Sequence, residues 1–152
     1  MTLDSSFNLT LGQYIKRRNG VPLGADRSLR NMLHRSIGAK NFATFWMYWN
    51  PIFGYYLGKY IFKPLKRHFP KYLALLTTFI FCGLIHDFVT TILRGNISLF
   101  FTQWFLIMGL WVLLSDILRQ DFSNQTWTVR ATMNILPIVI SFLTIFYFNR
   151  LR

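Results

Sequence analysis

The stretch Tyr72–Leu93, YLALLTTFIFCGLIHDFVTTIL, decides the fold, because its 22 residues are interrupted only by His86 and Asp87. At 1.5 Å rise per residue a helix of that length reaches about 33 Å, enough to cross a hydrocarbon core of roughly 30 Å. Two comparable runs follow. Ile97–Leu118 is again 22 residues long and carries Asp116, and Ala131–Phe148 carries no charge. The pattern predicts an all-α integral membrane protein with about three transmembrane helices, near residues 72–93, 97–118 and 131–148.

Composition agrees. Of 152 residues, 53% are hydrophobic and only 14% charged, against roughly 25% charged in a soluble domain. Seventeen Lys and Arg oppose five Asp, giving a net charge of +12. Such a balance suits nucleic acid or an anionic membrane surface. Twelve of the seventeen cations precede Tyr72, and Arg94, Arg119, Arg130, Arg150 and Arg152 fall between or after the apolar runs. The charge is therefore juxtamembrane, and no nucleic-acid module accompanies it. By the positive-inside rule the basic N-terminal segment is cytoplasmic, the loop with Arg94 lies outside, and Arg119 and Arg130 lie inside again. The expected location is an inner or plasma membrane. No signal peptide is expected, since Asp4 comes early and no apolar run precedes Lys16.

Two regions are expected: a basic segment, 1–40, and a membrane domain, 41–152. Residues 1–27 are turn-rich around Gly20-Val21-Pro22-Leu23-Gly24 and read as loop. From Ser28, read as an N-cap, Leu29, Met32, Leu33 and Ile37 recur at helical spacing among Arg27, Arg30, Arg35 and Lys40, with Gly38 as a stop. This is an amphipathic helix, either interfacial or facing solvent on a larger assembly. Next, Phe42, Phe45, Trp46, Trp49 and Phe53 form an aromatic stripe interrupted at Asn50-Pro51. A residue before proline is biased away from helical angles, so a helix boundary is expected there. A broken, re-entrant segment fits, with an interfacial aromatic belt as the alternative. Lys63, Lys66, Arg67, His68 and Lys71 then form a basic hinge.

No phosphate loop, CxxC pair, HExxH or repeat is present, so nucleotide hydrolysis, zinc chemistry and solenoid folds have no support. The polar residues inside the first span remain. An ionisable residue there needs a reason. His86 shares a helix stripe with Phe79, Cys82, Gly83 and Thr90, which is mostly small or polar and suits protein or a cavity better than lipid. A neutral imidazole is competent as a general base; a histidine hydrogen-bonded between helices for packing is the plain alternative. Cys82 shares the histidine's face, which admits a Cys-His pair, though a buried structural thiol is the commoner outcome. Asp87 points about 100° away from His86, so a basic residue from elsewhere is a candidate partner.

The strings FWMYWNP at 45–51, YIFKPL at 60–65 and FIFCGLIHDF at 79–88 resemble the signature region of the membrane-bound O-acyltransferase family, in its C-terminal portion only. The resemblance implies transfer of an acyl group from a thioester donor such as acyl-CoA to a hydroxyl of a glycan, lipid or envelope component. It implies His86 as the base that deprotonates the hydroxyl and Asn50 as its polar partner. Trp46, Trp49 and Tyr60 would line the chamber, and Lys63 with its basic neighbours would attract the donor's phosphates. No cofactor or metal is implied beyond the acyl thioester. Two departures stand out: Asp87 follows the histidine where bacterial members commonly have glycine, and Ile85 precedes it where they have tryptophan. Family enzymes run to several hundred residues. A homo-oligomer or a larger membrane partner would therefore complete the chamber, and the alternative is a catalytically inert truncated protein or a partner-dependent subunit. A small transporter using His86, Asp87 and Asp116 is the weaker third reading.

Overall fold

The computed structural model describes residues 9–151, and all its regular elements are helical. A short helix α1, Leu11–Asn19, precedes α2, Ser28–Ile37. The aromatic stripe gives α3, Phe42–Tyr48, and α4, Pro51–Leu57. A π-helical turn, Gly58–Phe62, leads into α5, Lys63–His68. Three long helices follow: α6, Lys71–Arg94, α7, Phe100–Ile117, and α8, Trp127–Arg150. These three are long and apolar enough to cross a membrane, as expected. Only 22–28% of their most apolar windows is buried within the protein. The exposed remainder, including Phe88, Ile92, Leu143 and Phe146, has the character of a lipid-facing surface.

Several boundaries and caps differ from expectation. The second long helix begins at Phe100, because Ile97 to Leu99 serve as its lead-in, and the third starts earlier, at Trp127. Part of the segment expected as loop is α1, whereas residues 1–8 lie outside the described residues. Its physical cause is a capping box: Thr10 Oγ1 accepts from Gln13 N at 3.3 Å, and Gln13 Oε1 accepts from Thr10 N at 3.0 Å. Gly20 closes the helix in the left-handed region, φ 84°. Ser28 is the first residue of α2 and not its cap, a position taken by Arg27 at φ 64°. The Ser28 hydroxyl instead accepts from Asn19 Nδ2 at 2.7 Å, tying α2 to α1. Leu29, expected on the apolar face, is 66% exposed.

The long helices run antiparallel. At one end Lys71 Nζ meets Asp116 Oδ2 at 2.8 Å, joining the start of α6 to the end of α7. Lys40 meets Asp121 at 2.9 Å at the same end, and the Lys40 ammonium with Ser123 holds the Asp121 carboxyl well below the usual carboxylate range. There, too, α2 docks on α8. Asn134 Nδ2 donates to Ile37 O and Ala39 O at 2.9 and 2.8 Å, and Trp127 packs on Gly38 so closely that a Cβ would overlap its indole ring. At the opposite end Asn149 of α8 donates to Gln103 Oε1 at 3.1 Å.

The α6–α7 contact fixes the remainder. Asp87 is buried and accepts from Phe101 N at 2.9 Å, Thr102 N at 2.7 Å and Thr102 Oγ1 at 2.6 Å. Its partner is therefore the first turn of α7 and not a basic side chain as entertained from the sequence. Helix first turns present amides with no intrahelical acceptor, and a carboxylate there also meets the positive end of the dipole. One turn earlier, a Cβ on Gly83 would lie 2.5 Å from Thr102 Cα, so only glycine admits this approach. Replacing Asp87 by Ala leaves these half-buried donors without their acceptor, at up to about 1–3 kcal/mol each. Asp87→Ala and Gly83→Ala should both lower the temperature at which the single, buried Cys82 reacts with a thiol dye in detergent. Unchanged unfolding in both would contradict the docking described.

Candidate active site

His86 sits on α6 with Nδ1 2.8 Å from the main-chain oxygen of Cys82, one turn earlier. A carbonyl oxygen only accepts, so Nδ1 carries a proton, and in the neutral ring the lone pair is then on Nε2. That is the tautomer a base needs at Nε2. The bond goes to the Cys82 carbonyl, which gives no support to a thiol–imidazole pair. Three rings surround the imidazole: Phe105 with its centroid at 5.0 Å, Phe101 at 5.7 Å, and Phe53 edge-on at 6.0 Å. Two of these rings stand on α7, so the Asp87 clamp also sets the histidine's surroundings.

Asn50 owes its position to the break in the aromatic segment. Trp49 is extended, and Asn50 adopts φ 40°, ψ 70°, a left-handed geometry that asparagine tolerates better than most residues. Pro51 then occupies the first turn of α4, where its missing N–H has no consequence. Asn50 Oδ1 caps this helix by accepting from Phe53 N at 3.2 Å. With the oxygen engaged, the Nδ2 donors have no protein partner among the described residues. The π turn lies immediately ahead of Pro64, where a regular helix would set the proline ring against a carbonyl one turn back.

Asn50 and His86 line one cavity of about 270 Å3. It extends along α6 past Cys82, Phe79 and Leu75 to Lys71 and Asp116. Fifteen positions of helix separate Lys71 from His86, about 22 Å. The histidine thus lies well into the bundle, at the far end of a mainly apolar passage from the basic end. Trp46 and Trp49 also line the cavity. Trp46 packs edge-on against Phe79 at 5.2 Å, and its Nε1 is buried with no hydrogen-bond partner.

Tyr60 and Lys63 lie outside this lining. Tyr60 is 60% exposed and stacks on Tyr56 at 6.1 Å, with Lys59 Nζ 5.6 Å from its ring. The Tyr55 hydroxyl, 3.1 Å from Lys59 Nζ, raises the Lys59 pKa above its ordinary value, helped by the charges of Tyr55 and Tyr60. Lys63 opens α5. Conversely, Tyr14 and Arg18 line the cavity from α1, a helix in the segment whose turn-rich composition predicts loop. The signal was present in Thr10-x-x-Gln13 and Gly20, a helix start and stop at helical separation.

The cap separates two roles of Asn50. Glycine adopts the left-handed geometry freely and costs only a few tenths of a kcal/mol as a cap, whereas alanine costs about 1 kcal/mol as a cap with backbone strain added. Asn50→Gly should therefore unfold near the wild-type temperature and Asn50→Ala measurably lower. The reverse order in a thermal melt would contradict the cap.

Comparison with known proteins gives one family match. The model of MBOAT, the membrane-bound O-acyltransferase family, matches residues 17–150, which include α2 to α8 and the whole of the His86–Asn50 neighbourhood. Neither the curated proteins nor the solved structures gave a match.

Proposed function

The chain belongs to the membrane-bound O-acyltransferase family, and on that premise we propose that it transfers an acyl group from a thioester donor to a hydroxyl of a glycan, lipid or envelope component, with His86 as base and Asn50 as orienting donor. The observation that carries the reading is the His86 hydrogen bond to the Cys82 carbonyl, because it sets a proton on Nδ1 and leaves Nε2 as the nitrogen able to act as base, on a residue that lines the same cavity as Asn50.

The chemistry follows from these groups. A hydroxyl is a weak nucleophile until its proton is taken, and Nε2 accepts that proton as the oxygen attacks the thioester carbonyl. The carbonyl oxygen gains negative charge, and a nearby N–H stabilises it; the Asn50 amide is the donor proposed here. Collapse of the tetrahedral species breaks the C–S bond, and the imidazolium returns the proton to the departing thiolate. The ester and the free thiol are the products, and the histidine ends as it began. Trp46 and Trp49, with the phenylalanines around His86, keep water from competing with the acceptor hydroxyl.

In this reading the Lys71 end of the bundle is cytoplasmic and Asn96 lies on the opposite side, following the concentration of cations before α6. In a Cys82→Ser background, a membrane-impermeant thiol reagent should label Asn96→Cys in intact cells and Lys66→Cys only after lysis. The opposite labelling would reverse the orientation.

Membranes carrying the wild-type chain should move label from acyl-CoA into envelope material, and His86→Ala at matched abundance should reduce the rate by about a hundredfold or more. Cys82→Ser should retain transfer. Equal transfer with and without the imidazole would remove the mechanism. Absence of transfer from the wild type as well would favour a partner-dependent or inert membrane subunit.

A further inference from the structure

Arg18 is the buried exception in a basic run. Its neighbours Lys16 and Arg17 are exposed, whereas Arg18 is 9% exposed and lines the cavity that holds His86. Its Cζ lies 5.0 Å from the centre of the Tyr14 ring, and its Nε is buried with no hydrogen-bond partner. Among the described residues no carboxylate or other acceptor meets its guanidinium. Asp116, the one carboxylate among the described residues lining the cavity, is taken by Lys71 at 2.8 Å.

An arginine cannot shed its charge by deprotonation, and a buried Nε–H left without an acceptor is unfavourable. Contact with the Tyr14 ring offsets part of that cost and offers no acceptor. A ligand entering the cavity with an oxyanion would supply the missing partner. The planar guanidinium fork matches phosphate in a two-bond geometry. Lys71 provides a second cation on the same lining, because both members of its pair with Asp116 are 53% exposed and exposed pairs are weak enough to exchange partners.

We propose that Arg18 is an oxyanion receptor of the cavity and that it binds a phosphate group of the ligand, leaving the ligand's apolar part along the passage toward His86. The proposal rests on reading this cavity as the substrate site, and adds the chemical class of the group bound away from the reacting carbonyl. A phosphate reaches Arg18 from either of two sources, a phosphate-bearing thioester donor or a phospholipid headgroup.

Binding separates this proposal from the acyl-transfer mechanism when it is measured on the purified full chain carrying His86→Ala, which removes turnover. In dodecyl maltoside, whose headgroup has no phosphate, the probes are octanoyl-CoA and the phosphate-free thioester S-octanoyl-N-acetylcysteamine. A second pair is phosphatidate and diacylglycerol. Arg18→Gln should weaken octanoyl-CoA, phosphatidate or both by about tenfold or more, as expected for loss of a charge-assisted hydrogen bond, and leave the uncharged probe of each pair unchanged. Arg18→Lys, which keeps the charge and loses the fork, should fall between. Lys16→Gln, outside the lining, controls for net charge. An effect confined to octanoyl-CoA assigns the phosphate to the donor, and one confined to phosphatidate assigns it to a lipid. Equal loss of charged and uncharged probes, or an Arg18→Gln effect no larger than that of Lys16→Gln, would overturn the proposal. Should Arg18→Gln fail to fold, Arg18→Lys decides by the same comparison of phosphate-bearing and phosphate-free probes.

Discussion

Where no water reaches, the first turn of a helix is a problem, because its amide hydrogens point along the axis with nothing to receive them. In this protein the start of α7 meets that constraint through a side chain of another helix. One buried carboxylate, Asp87, accepts from two successive amides and from the Thr102 hydroxyl. Gly83, one turn away on α6, has no side chain to hold the two backbones apart. Together these residues fix both the distance and the rotation between α6 and α7.

That rotation has a chemical consequence. Neighbouring side chains on a helix diverge by about 100°, so directing Asp87 into α7 turns His86 toward the cavity. The clamp brings Phe101 and Phe105 beside the imidazole, while the helix supplies the Cys82 carbonyl that holds the proton on Nδ1. The opposite wall comes from the break at Asn50-Pro51, where a left-handed residue and a proline place the asparagine beside the passage and not within a continuous helix. A carboxylate that follows the histidine, unusual against the family pattern, thus has a structural role here as a helix anchor.

Much of this was legible in the sequence, for physical reasons that differ from residue to residue. Length and apolarity alone identify the three long helices, and the pre-proline bias at Asn50 identifies the break. The family resemblance singled out His86 and Asn50, and both line one cavity. The partner of Asp87 was not legible, since a contact between residues 87 and 102 depends on how two helices meet across a turn. Helix α1 was missed because Gly20 to Gly24 dominated the reading of its neighbourhood, although the Thr10–Gln13 capping box lay in plain view. The resemblance groups Tyr60 with Trp46 and Trp49, whereas Tyr60 sits within the π turn Gly58–Phe62 ahead of Pro64 and is outside the cavity lining. Arg18 has no sequence signal of its own; only burial distinguishes it from Lys16 and Arg17.

The central claim is that His86 lines the cavity with its Nδ1 held on the Cys82 carbonyl, so that Nε2 is the nitrogen left to act as base. Nitrogen-15 chemical shifts of histidine-labelled protein, with His86 assigned by its loss in His86→Gln, read this state directly, since only two other histidines, His34 and His68, contribute. At neutral pH the account predicts a protonated Nδ1 and an unprotonated, pyridine-type Nε2. A His86 signal with the proton on Nε2, or with both nitrogens protonated, would contradict it.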